Sequence, residues 1–106
     1  MAKYMVTGSY TVDGLKGVLK EGGSGRRKAV EAALKAIGGH LEAFYFAFGE
    51  YDVVTIVEVP DNVTAATLSM GIAATGTVRT TTTVLLTPEE MDQATKKTLA
   101  FRPAGQ

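Results

Sequence analysis

Residues 4–11, Tyr-Met-Val-Thr-Gly-Ser-Tyr-Thr, are rich in β-branched and aromatic side chains, and this predicts a first strand. The apolar period then changes. Leu15, Val18 and Leu19 recur at helical spacing behind two N-cap candidates, Thr11 and Asp13. Gly22-Gly23-Ser24-Gly25 predicts a break, because three glycines in four residues cost a helix too much backbone entropy. Ser24 is placed to cap a restart. Val30, Ala33, Leu34 and Ile37 then form one apolar stripe among Arg26, Arg27, Lys28, Glu31 and Lys35. Gly38-Gly39 predicts the C-cap.

Leu41–Phe48 and Tyr51–Val59 read as two strands of a hairpin, with Gly49-Glu50 as a two-residue turn. Pro60 stops the third strand. Asp61 caps a helix that runs to about Thr75, and Gly76 ends it. Thr77–Leu86 predicts a fourth strand, since its four consecutive threonines, Thr80 to Thr83, are stiff at χ1. Thr87-Pro88-Glu89-Glu90 opens a last helix with a capping box and proline at its first position. Lys96 and Lys97 lie at its far end, where the helix dipole favours cations. One domain over residues 1–98 and a loose tail over 99–106 are expected.

The order β-α-β-β-α-β with a C-terminal helix predicts an α+β, ferredoxin-like split βαβ fold. Right-handed crossovers give an antiparallel sheet of order 4-1-3-2 with two helices on one face. Val53, Thr55, Val57 and Val59 point one way, and Val54 and Ile56 the other. Phe44, Phe46 and Phe48 alternate with Ala43, Tyr45 and Ala47. A sheet with one wet face alternates apolar with polar, and this one is apolar on both. A second copy packed face to face is therefore expected, giving a homodimer or a higher even oligomer. The alternative is that the last helix folds back over the bare face.

Composition removes several function classes. The chain has 106 residues, 45 % hydrophobic and 21 % charged, an ordinary globular balance. It has no Cys and one His, so disulfides, thiol chemistry and a dedicated zinc or haem site are not expected, and no cofactor is implied. The net charge is zero but segregated. Residues 1–40 hold seven basic and three acidic groups, residues 41–70 five acids and no base, and residues 71–106 four bases and three acids. The balance argues against a nucleic-acid partner. No apolar run approaches the roughly 18 residues of a membrane span, so a cytoplasmic protein without membrane contact is expected.

The most distinctive run is Gly49-Glu50-Tyr51-Asp52. As structure, Gly49 permits positive φ, Phe48 and Tyr51 face each other across the turn, and Asp52 accepts hydrogen bonds from turn amides. As chemistry, Asp52 is a candidate general base or ligand-orienting carboxylate. A two-residue turn would set it beside Tyr45, Val54, Ile56 and Glu58, where apolar neighbours raise a carboxyl pKa. Tyr45 and His40 complete the catalytic candidates; otherwise His40 is an exposed polar residue. Arg79, alone in an apolar strand, needs Asp52, Glu58 or a bound anion. Arg79, Tyr51 and Asp52 are thus the ligand-binding candidates, for a small anionic or aromatic molecule. Gly22–Lys28 offers free amides and three cations but lacks the spacing of a phosphate loop, and it reads as a solvated basic turn.

An ordered set of short motifs adds to this. Tyr4-x-Val6-x-Gly8, Gly38-Gly39, Phe48-Gly49-Glu50-Tyr51-Asp52-Val53-Val54, Glu58-Val59-Pro60-Asp61 and Val78-Arg79-Thr80 resemble the GYD-domain proteins over roughly residues 4–90. The resemblance implies a ferredoxin-like fold of the kind that pairs into dimeric α/β barrels. It brings no established reaction and no assigned catalytic residues. His40 stands where the family more often shows a Lys-like polar residue. Two function classes follow: an oligomeric small-molecule-binding or assembly module, which is favoured, and a cofactor-independent enzyme, monooxygenase- or isomerase-like, with its pocket on the sheet face. The second rests on analogy of fold.

Overall fold

The β-branched run near the N-terminus forms β1 (Ala2–Tyr10), an inner strand of a four-stranded antiparallel sheet. The structure is a computed structural model and describes residues 1–106. Thr11 caps α1 (Val12–Ala36), its hydroxyl accepting the Gly14 N–H at 3.2 Å. The predicted glycine break contracts to one residue. Gly22 alone leaves helical geometry, at φ 79° and ψ 168°, and it kinks a 25-residue helix. Gly23 stays helical in a place where a Cβ would lie 2.8 Å from the Phe46 ring, so tight packing there accounts for its missing side chain.

The helix ends as its glycines predict. Gly38 is left-handed at φ 79°. Its N–H donates to Lys35 O at 3.2 Å, and the Gly39 N–H donates to Leu34 O at 2.9 Å, the paired bonds of a Schellman motif. β2 (His40–Phe46) and β3 (Val53–Val59) follow, then α2 (Asn62–Ala73), β4 (Val78–Leu85) and α3 (Pro88–Thr95). Asp61 caps α2 by accepting the Thr64 N–H at 2.8 Å, and Thr87 with Glu90 forms the expected capping box. The strand order β2-β3-β1-β4 is the predicted 4-1-3-2 read backwards.

The hairpin differs from its prediction. The last strand pair is Phe46↔Val53, and the Ala47 N–H donates to Asp52 O at 2.8 Å, so four residues, not two, form the loop. Phe48 is fully exposed and does not pack across the turn. Gly49 is absent from the positive-φ glycines, so a left-handed turn residue is not what this position requires. A longer loop spreads the reversal over more residues, and none of them is forced into the left-handed region.

Register sorts the side chains. Tyr4, Val6, Val53, Thr55, Val57 and Val59 share one face, on which α1 and α2 pack through Leu34, Ala65 and Leu68. Tyr4, Leu34, Val57 and Val59 are the largest fully buried side chains. The Tyr4 hydroxyl is satisfied by Asn62 Oδ1. Met5, Thr7, Val54, Ile56, Thr81, Thr83 and Leu85 share the opposite face, joined by Ala43 and Tyr45 from β2. α3 does not fold back over that face: every residue from Pro88 to Gln106 is exposed. No helix is long and apolar enough to cross a membrane.

Candidate functional site

A hollow lies between helices and sheet. Gly8 on β1 lines it together with Ala29 and Ala33, which are spaced i, i+4 on α1 and are exposed where the hollow opens to solvent. The cavity measures ≈ 130 Å³. Val53, Val57 and Val78 line its sheet side, and Val30, Leu68 and Ile72 line its helix side, with Phe44 also at its wall. Two of its hydroxyls are already engaged. Thr55 Oγ1 donates to Val6 O at 2.8 Å, and Thr80 Oγ1 shares a hydrogen bond with Ser69 Oγ at 3.1 Å. No buried side-chain polar atom lacks a partner. A cavity lined in this way is apolar and has little to offer water.

Tyr10 and Arg26 are its two polar lining groups that stand out chemically. Burial pushes the Tyr10 hydroxyl above its usual value, and the nearby Arg26 guanidinium partly opposes this. Arg26 pairs with Glu21 at 3.1 Å, across the Gly22 kink. The kink interrupts the helix between the two halves of that pair. The arrangement offers a charge-assisted donor beside an apolar hollow of one-ring size. An engineered dry cavity of about 150 Å³ is enough to admit benzene.

The candidates from the hairpin and β4 lie elsewhere. The Asp52 N–H donates to Gly8 O, and Asp52 Oδ2 accepts the Tyr10 N–H, both at 2.8 Å. Asp52 therefore stitches the loop to the end of β1, and its partner is a strand amide and not a turn amide. Tyr51 beside it is half-buried, and Tyr45 is 69 % exposed on the uncovered face. His40 sits at the other end of β3, where its Nε2 lies 2.6 Å from Glu58 Oε2. Six extended residues separate Glu58 from Asp52, roughly 20 Å, so His40 and Asp52 cannot act on one ligand atom.

Glu58 also takes Lys3 Nζ at 2.6 Å, and Lys3 reaches Glu42 at 3.0 Å. The hydrogen bond from Lys3 is the main reason the Glu58 carboxyl titrates below its usual value. Glu58 and then Glu42 raise Lys3 in turn. Arg79 is exposed and pairs in register with Ser9. The ion pairs of the chain engage Lys3, Arg26, Arg27 and His40, not Arg79. The predicted pairing of Arg79 with Asp52 or Glu58 does not form, because both carboxylates have other partners. No three His, Asp or Glu side chains are grouped to hold a metal ion.

The pocket lies on the helix-covered side of the sheet, and Tyr10 and Ala29 on its lining carry no motif that announces them in the sequence.

The fold and pocket define a split βαβ domain with a partly open, mostly apolar hollow between its helices and sheet. The profile of the GYD domain matches residues 4–95, and the chain belongs to that family. Among curated proteins and among solved structures there is no match to the chain.

Proposed function

We propose that this protein is a small-molecule-binding module, and that its ligand places one ring or a short branched chain in the cavity and an anionic group beside Arg26 and Tyr10. The observation that carries this reading is a mostly apolar pocket with a guanidinium on its lining. Burial of an apolar group there supplies affinity at about 25 cal/mol per Å², and the charged donor selects the headgroup. Glu21 is the native competitor for Arg26, so binding an anion exchanges one carboxylate for another.

Benzoate and toluene serve as paired probes, with chemical-shift changes as the readout. Both are expected to perturb Ala33 and Val57. Arg26→Gln is expected to weaken benzoate about tenfold or more and leave toluene nearly unchanged, as loss of a charge-assisted bond of about 1.5 kcal/mol requires. Glu21→Gln should tighten benzoate. Shifts confined to the uncovered sheet face would defeat the proposal.

The module also pairs with a second copy through the uncovered sheet face. Met5, Val54, Ile56 and Leu85 supply its apolar centre, and Lys3, Glu42, Glu58 and His40 form a charged cluster at one end. Light scattering is expected to return twice the 11.2 kDa chain mass or an even multiple of it. Ile56→Glu is expected to lower the mass read by light scattering, with the fold intact by circular dichroism. A wild-type chain that stays monomeric at micromolar concentration removes this part of the reading.

A further inference from the structure

Two parts of the surface are left without a partner, and they match each other. The first is the outer side of α2. The helix carries no charged residue over Asn62–Ala73, and between Asn62 and Thr87 the only charge is Arg79. Only Ala65 and Leu68 of α2 are buried. Val63, Ala66, Thr67 and Met70 recur at helical spacing on the exposed side, with Val63 76 % and Met70 67 % accessible. The exposed side of α2 is thus uncharged and partly apolar. Between this surface and the edge strand β4 runs an open groove of ≈ 340 Å³, lined by Ala66, Met70 and Val84.

The second part is the C-terminal arm. All residues from Pro88 onward are exposed, and Met91, Leu99 and Phe101 are 50 %, 84 % and 77 % accessible. Thr98–Phe101 is uncharged, like the groove. The capping box and Pro88 set the direction in which α3 leaves β4, and the arm stands away from its own domain. The radius of gyration, 16.9 Å, exceeds the roughly 13 Å of a compact chain of this length.

Area states the same mismatch. The chain exposes 7522 Å². A monomer of its mass exposes about 5,700 Å², an excess of about 1,800 Å². A standard interface takes about 800 Å² from each partner. The excess is larger than what one such interface takes from a partner.

We propose that the arm of one chain docks on the α2 surface of a second copy, with Leu99 and Phe101 seated against Met70 and Val84 in the groove between α2 and β4. The occupant is this chain because each copy carries one arm and one groove of matching character, so a symmetric pair satisfies both. The proposal stands apart from pairing through the sheet face, which uses neither the arm nor the outer side of α2.

The absence of cysteine makes the test direct. Phe101→Cys and Met70→Cys proteins are prepared separately, mixed and oxidised. A disulfide between them can only join two chains. A covalent heterodimer well above that from Phe101→Cys mixed with Lys20→Cys is expected, and a yield equal to that control overturns the proposal. With both cysteines in one chain, a fast-migrating internal loop in place of a covalent oligomer also overturns it. In the otherwise unchanged chain, Leu99→Ser with Phe101→Ser is expected to weaken self-association about tenfold or more by sedimentation. Unchanged self-association defeats the arm and spares the sheet face, whereas an Ile56→Glu protein that keeps both its mass and its cross-link defeats the sheet face and spares the arm.

Discussion

Replacing Gly14 with alanine is expected to lower the thermal midpoint by roughly 15 °C, the largest effect of any one-carbon change in this chain. A Cβ at Gly14 would lie 1.8 Å from Thr77 O and 2.8 Å from Thr77 C, both backbone atoms. That carbonyl is not free to yield. It accepts the Thr11 N–H at 3.0 Å, and Thr11 Oγ1 donates to the adjoining Gly76 O at 2.8 Å. The start of α1 is therefore pressed against the turn that leads into β4, and a methyl group must part them. Overpacking of this kind costs up to about 3 kcal/mol. Gly17, one turn further on, is the internal control. Nothing lies within 4 Å of its Cβ position, so Gly17→Ala should stabilise the helix by about 0.5–1 kcal/mol. Differential scanning calorimetry of the two variants decides the matter, and equal shifts would show that helix propensity, not the contact with Thr77, governs this segment.

Leu34→Ala is expected to cost about 3–5 kcal/mol, the upper part of the range for buried leucine truncation. Leu34 is 0 % exposed in a cluster with Tyr4, Val57, Val59 and Leu68. Tyr4 and the two valines stand on paired inner strands, and such neighbours cannot close on a vacated space. The Leu34 carbonyl also accepts the Ile37 and Gly39 amides that end α1, so the residue sits where the helix is tied off. Leu19, 80 % exposed on the same helix, should change by no more than about 0.5 kcal/mol when truncated. Urea denaturation with an unchanged m-value tests both. A loss below about 1.5 kcal/mol at Leu34 would mean that the core relaxes around the gap.

What the sequence alone determined was local. Thr11, Asp61 and Thr87 cap because their side-chain oxygens reach amides two or three residues on. Gly38 and Gly76 end helices because only the left-handed conformation closes those turns cheaply. The alternation in β1 and β3 and the order of elements then leave few topologies, which is why strand order was legible. Contacts between elements decided the rest. A Cβ at Gly23 would meet Phe46, from a distant strand, and no neighbouring residue announces that contact. Asp52 accepts the Tyr10 amide, 42 residues away, a contact between the hairpin and the end of β1 that no local pattern announces. The pocket is lined by residues of both α1 and α2 and of the sheet strands together, each ordinary in its own element. A hollow is a property of facing surfaces, and periodicity along one segment carries no record of what stands opposite.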